Sequence, residues 1–188
     1  MGGGFRDAGP DRRRFIRRVG LLALGGLAAR PALSRVPARS QGERALAFYN
    51  THTGESFKAV YWAQGNYFPE ALSGIDFILR DFRSGDVKPI APHLLDLAHE
   101  VQRMLQSTAP IHIISGYRSP ATNAALAARS GGVAKHSLHL EGEALDLRLP
   151  GRELADVHRA ALALKRGGVG YYPRSNFVHI DIGRVRTW

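Results

Sequence analysis

The sequence predicts an α+β fold in which helices pack on a small, largely antiparallel sheet. Three observations carry this. Short β-prone runs recur at residues 44–50, 57–62, 111–114, 144–149 and 177–182. Longer stretches with apolar residues three and four apart lie between them. No glycine-rich turn sits between a strand and a helix as nucleotide-binding parallel sheets require, so the chain reads as segregated helices and strands.

The elements follow in order. Arg44–Asn50 and Phe57–Trp62 flank the turn-forming Thr51-His52-Thr53-Gly54-Glu55 and predict a hairpin. His52 reads as a polar turn residue, because nothing nearby has metal-ligand spacing. Residues 69–83 are apolar at 71, 72, 75, 78, 79 and 82, a helix that Gly85 would stop. Residues 92–107 repeat the pattern, with Pro92 suited to the first turn. His93 and His99 on that helix stand six apart, off the spacing of four that places two ligands on one face. Ile111-His112-Ile113-Ile114 is a short strand, with His112 turned away from Ile111 and Ile113. A glycine-containing loop, Ser115-Gly116-Tyr117-Arg118-Ser119-Pro120, leaves it, and an alanine-rich helix spans 121–130. A helix at 152–165 contains a structural His158. The Gly167–Pro173 segment reads as a flexible turn flanking a strand, its glycines letting backbone approach closely. Tyr171 and Tyr172 either line a groove or pack.

Charge and composition narrow the function. The formal net charge of +10 comes mostly from residues 1–40, where nine arginines face Asp7 and Asp11, a net +7 that leaves +3 for residues 41–188. A nucleic-acid partner is therefore not expected. A mildly basic body suits an anionic polymer such as a cell wall. With no cysteine, disulfides, thiolate metal sites and a cysteine nucleophile are excluded, and any metal must be held by His, Asp or Glu.

Residues 1–36 read as an export signal. Arg12 and Arg13, followed by Arg14-Phe15-Ile16-Arg17, match a twin-arginine signal, and Val19–Ala29 is a Gly/Ala/Leu-rich run too short for a bilayer span. Cleavage after Ala29, near Ala32-Leu33-Ser34, would be followed by a linker at 37–43 and one domain at 44–188. The expectation is a periplasmic or cell-envelope protein without a stable membrane anchor, partnered by the twin-arginine translocase during export.

The chemistry gathers in Ser137–Asp146. His139 and Asp146 flank Gly142 at the mouth of the alternating run Ala144–Leu149, and His179 lies in a second strand, Phe177–Ile182. Two histidines and a carboxylate are a common ligand set for catalytic zinc. Arg118 could aim its guanidinium at a substrate carboxylate or carbonyl, or pair with a surface acid.

Ser137-x-His139-x-x-Gly142-x-Ala144-x-Asp146, with Ser115-Gly116-Tyr117-Arg118-Ser119 before it, resembles the zinc DD-peptidase clan of D-Ala-D-Ala carboxypeptidases and murein endopeptidases. Gly167–Pro173, Asn176–Asp181 and Trp188 are similar to the murein endopeptidase K family within it. The resemblance implies a hedgehog/DD-peptidase fold, a Zn2+ held by His139, Asp146 and His179, and peptidoglycan cross-link peptides as substrate. The expected bond is diaminopimelate–diaminopimelate or D-Ala–diaminopimelate. The sequence departs from the clan at Asn176, where many members place the general base three residues before the last histidine. Asp181, on the same strand face as His179, is the candidate proton shuttle, or else a carboxylate that orients His179. Arg118 is the candidate oxyanion stabiliser. Two other readings follow: a zinc-containing wall-binding domain without catalysis, favoured by Asn176, and a D-Ala-D-Ala dipeptidase or carboxypeptidase, which would need a closed pocket.

Overall fold

The computed structural model describes residues 42–129 and 136–188. The signal reading and the linker fall almost wholly outside them. These residues form an eight-stranded sheet and, among the described residues, four α-helices. In chain order they are β1 (Glu43–Asn50), β2 (Ser56–Ala63), β3 (Asn66–Tyr67), α1 (Pro69–Ile78), α2 (Pro92–Met104), β4 (Ile111–Ser115), α3 (Pro120–Arg129), β5 (Ala144–Arg148), α4 (Leu154–Leu164), β6 (Gly168–Tyr172), β7 (Phe177–Asp181) and β8 (Arg186–Thr187). A 3-10 turn, Leu138–Glu141, precedes β5, and another, Pro173–Ser175, precedes β7.

The strand order is β3-β2-β1-β4-β5-β7-β6-β8. Pairing is antiparallel except for β1 with β4 and β6 with β8. The sheet is thus mainly antiparallel, as expected, but larger than the short runs suggested. Two of its strands, β3 and β8, are two-residue edges that carry no periodicity of their own.

Register divides the sheet into two faces. Phe48, Ile111, Ile113, Leu147, Leu145, Val178, Ile180 and Val169 stand opposite one another across five strands and join Leu94, Leu95, Leu97 and Val101 of α2 and Val157 of α4 in one core. Each is 4 % exposed or less, so each contributes about 1.5–3 kcal/mol of apolar burial. Because side chains alternate, the same packing turns Tyr49, His112, Asp146, Arg148, Phe177, His179 and Asp181 to the opposite face. The helix-covered core fixes which residues can form a site.

Two elements differ markedly from expectation. α1 ends at Ile78 rather than Arg83, because the Ile78 carbonyl accepts from Asn50 Nδ2 (3.2 Å) and the Leu79 carbonyl from the Tyr117 backbone (2.8 Å). These donors replace the next helical turn. Residues 168–172 are strand β6 rather than a flexible turn. Its glycines answer crowding: a Cβ on Gly167 would strike the Asp181 carbonyl, and one on Gly170 would lie 2.7 Å from the Trp188 ring. The two tyrosines there divide between roles. Tyr171 stacks on His158 at the core side, whereas Tyr172 stacks on Phe177 on the other face.

Candidate metal centre

Local sequence brings the three sequence-predicted ligands together. Asp146 and His179 are cross-strand partners in β5 and β7, so both point from the same face. His139 arrives on the 3-10 turn that Gly142 closes, with φ +71, a conformation glycine adopts without strain. A side chain at Gly142 would also strike the Pro89 carbonyl. The Ala91 amide donates to the Gly142 carbonyl (3.0 Å), which ties the turn to the start of α2.

His139 Nε2 lies 3.2 Å from His179 Nδ1 and 3.3 Å from Asp146 Oδ1, and His179 Nδ1 lies 2.8 Å from Asp146 Oδ1. All three residues are buried. The far side of each ring fixes its tautomer. His139 Nδ1 donates to the Gly116 carbonyl at 2.7 Å, and since a carbonyl only accepts, Nε2 keeps its lone pair. His179 Nε2 donates to Asp181 Oδ2 at 3.1 Å, which leaves Nδ1 as an acceptor in the neutral ring. Three acceptors then converge on one point without a proton between them, an arrangement that calls for a cation. Tetrahedral zinc with bonds of about 2.0–2.1 Å separates its ligands by about 3.3 Å. The trio's edges of 2.8–3.3 Å fit such an ion.

Electrostatics agree. When protons rather than an ion occupy the pocket, burial would raise the Asp146 carboxyl, but the charge of His139 and hydrogen bonds from His139 and His179 hold it well below the usual carboxylate range. Burial works to lower His179, yet Asp146 and Asp181 on either side raise it above its ordinary value. A proton and a metal ion therefore compete for the same pocket.

Arg118 sits beside this centre, 9 % exposed. Its backbone amide donates to the His139 carbonyl (3.0 Å). Its guanidinium donates to Ser115 Oγ (3.3 Å) and Asn123 Oδ1 (3.4 Å) and lies 3.6 Å from Asp146 Oδ2. Nε has no hydrogen-bond partner among the described residues. Burial lowers the guanidinium's pKa, though arginine stays charged. The loop that carries it is anchored by Asp81, which accepts from the Ser119 amide (2.9 Å) and the Arg83 amide (3.0 Å).

Asp181 stands behind His179 and is fully buried. Oδ1 accepts from the amides of Gly168 and Gly183 (both 2.9 Å) and from Arg186 (3.1 Å); Oδ2 accepts from Arg186 (2.7 Å) and His179. These donors outweigh burial and hold its pKa well below the carboxylate range. Asp181 faces the far nitrogen of His179, away from the point where the three acceptors converge. Asn176 is exposed, has φ 52, and makes no hydrogen bond to the trio among the described residues. His52, by contrast, stays in its turn, stacked on Phe82.

Arg186 carried no sequence signal of its own, and Gly116 and Trp188 stood out only within the resembling motifs. Arg186 and the Gly116 carbonyl orient the two imidazoles, one through Asp181 and one directly. Trp188 packs over His179 with ring centres 5.2 Å apart and donates to the Tyr172 hydroxyl at 2.6 Å.

The model of the peptidoglycan L,D-endopeptidase MepK family, Peptidase_M15_2, matches residues 38–188. The chain is 45% identical over 172 residues to the peptidoglycan L,D-endopeptidase MepK of Escherichia coli (strain K12), covering 89% of this chain and 94% of the relative. It is 39% identical over 174 residues to a Haemophilus influenzae protein named probable peptidoglycan L,D-endopeptidase MepK, covering 89% and 92%. No solved structure matches.

Proposed function

We propose that this chain, which belongs to the peptidoglycan L,D-endopeptidase MepK family of M15 peptidases, hydrolyses peptide cross-links of peptidoglycan with a zinc ion held by His139, Asp146 and His179. The observation that carries this is the convergence of three acceptor atoms within 3.3 Å, each imidazole oriented from behind. The bond cut is a diaminopimelate–diaminopimelate or D-Ala–diaminopimelate link.

Zinc, when bound, supplies a water acidified toward about pH 7 and a Lewis acid for the carbonyl. The chain supplies the rest. The Gly116 carbonyl and Asp181 keep both imidazoles in the tautomer that ligates. Arg118 supplies a fixed positive charge beside the centre that would stabilise a substrate carbonyl as negative charge develops. Asp181, with five donors already on its two oxygens, orients His179 rather than shuttling a proton. Trp188, Tyr172 and Phe177 form an aromatic wall beside His179.

The Arg12-Arg13 motif and the eleven-residue apolar run after it support export by the twin-arginine route and residence in the periplasm. No helix among the described residues is long and apolar enough to cross a membrane.

The test is mass analysis of muropeptides released from purified sacculi, with and without a chelator. New chelator-sensitive products cut at a diaminopimelate–diaminopimelate or D-Ala–diaminopimelate link are expected. A zinc-bound protein that releases nothing would leave a wall-binding domain, and products from free D-Ala-D-Ala alone would leave a dipeptidase.

A further inference from the structure

Next to the row of the sheet that carries Asp146 and His179 lies a second row, two residues further along each strand. Register builds it: Tyr49 faces His112, His112 faces Arg148, and Phe177 faces Tyr172. Leu147 pairs with Val178, so Arg148 and Phe177 are the next positions along their strands. Ring contacts bear this out, with Tyr49 and His112 centred 4.9 Å apart and Tyr172 and Phe177 stacked at 4.5 Å. All five residues are partly exposed.

Arg148 is the one cation in this row. It has no hydrogen bond or carboxylate partner among the described residues. Its neighbour His112 is held below its ordinary pKa by burial and by the charge of Arg148, so it adds no second positive charge. Together they line a cleft of about 270 Å³ that also reaches Arg152 and Asn176. Arg152 is committed elsewhere, donating to the carbonyls of Leu105 (2.9 Å) and Gln106 (3.2 Å) at the end of α2. Arg118 is committed to Ser115, Asn123 and Asp146. Arg148 is therefore an uncommitted guanidinium on the metal-facing side.

We infer that Arg148 is a specificity-determining residue that binds a free carboxylate of the cross-link peptide beside the scissile amide, between aromatic walls formed by Tyr49 and His112 on one side and Phe177 and Tyr172 on the other. The inference rests on the peptidoglycan reading above. A diamino diacid whose amine enters a cross-link still carries its carboxyl group next to that amide. The two rows are about 6.6 Å apart at 3.3 Å per residue, the span of two residues of extended peptide. A guanidinium on a flexible stem covers carboxylates within that reach, and its planar fork suits them.

The experiment uses two cross-linked peptide dimers that differ only in whether the diaminopimelate carboxyl beside the scissile amide is free or a carboxamide. Zinc-supplied wild-type protein is expected to cleave the free form with kcat/KM higher by about tenfold or more, mostly through KM. Arg148→Gln should treat the two alike, and Arg148→Lys should recover part of the preference. An Arg148→Gln protein that melts like wild type yet keeps the full preference overturns the inference. Calorimetric binding of the uncleavable monomer peptide, in both forms, separates this from the functional reading. Wild-type protein that cleaves neither dimer, but binds the carboxylate form more tightly until Arg148 is replaced, ends the hydrolase account and keeps the subsite. Equal binding of both forms by wild type removes the subsite whatever the turnover.

Discussion

Replacing Asp181 with asparagine removes one charge from the most enclosed part of the centre while keeping its shape. Oδ1 takes three donors and Oδ2 takes two. An amide must set its NH2 against one of these groups. Placed at Oδ2, it faces Arg186 and His179 Nε2–H, donor against donor. His179 relieves this by moving its proton to Nδ1, the atom that faces Asp146 and His139. A ligand position is then blocked. Loss of such an orienting partner weakens a metal site by about 10- to 100-fold, or about 1.4–2.7 kcal/mol. The protein also loses the buried acceptor for Arg186, at a further cost of about 1–3 kcal/mol in stability. Zinc affinity by competition with a chromogenic chelator, and thermal melts with and without zinc, read the two effects separately. An Asp181→Asn protein that is folded and binds zinc within about twofold of wild type would refute the orienting role.

Arg118→Met should retain zinc and lower kcat by about 100-fold, as loss of one donor to a developing oxyanion does; steady-state kinetics beside a zinc titration checks it. Asp81 is held at about 2 because hydrogen bonds from Thr122, Ser119 and Arg83 outweigh the burial that would raise it. Its folded value lies below its unfolded one, so its contribution is present above about pH 4 and is lost as pH falls toward 2. Urea denaturation between pH 2 and 7 should show Asp81→Asn less stable at neutral pH, by about 2 kcal/mol, with a flatter acid limb. Gly142→Ala should cost more than about 1 kcal/mol in the same assay, since φ is +71 and the new methyl meets the Pro89 carbonyl.

Residues close in sequence or set by strand alternation were legible; those set by long-range pairing were not. His139, Asp146 and His179 could be named because an alternating run fixes which way Asp146 and His179 point, and one register pairs them. Apolar periodicity located α1, α2 and α4, but the end of α1 depends on donors from Asn50 and Tyr117, 28 and 38 residues away from the carbonyls they meet. The glycines of β6 looked like a turn because their reason lies in Asp181, Arg186 and Trp188, on strands that only the fold brings alongside. Asp181 was correctly placed on the face of His179, but the donors that saturate it come from Gly168, Gly183 and Arg186. Arg148 carried no signal at all, since an arginine at the end of a strand is ordinary until its missing partner is seen.

Zinc content by plasma mass spectrometry measures directly whether one ion sits at the meeting point of His139, Asp146 and His179. Wild-type protein dialysed against trace zinc should hold one zinc per chain. His139→Ala and His179→Ala should hold none at the same free concentration while keeping the wild-type circular dichroism spectrum. Folded alanine variants that still carry one zinc per chain would contradict the assignment of these side chains as the metal's ligands.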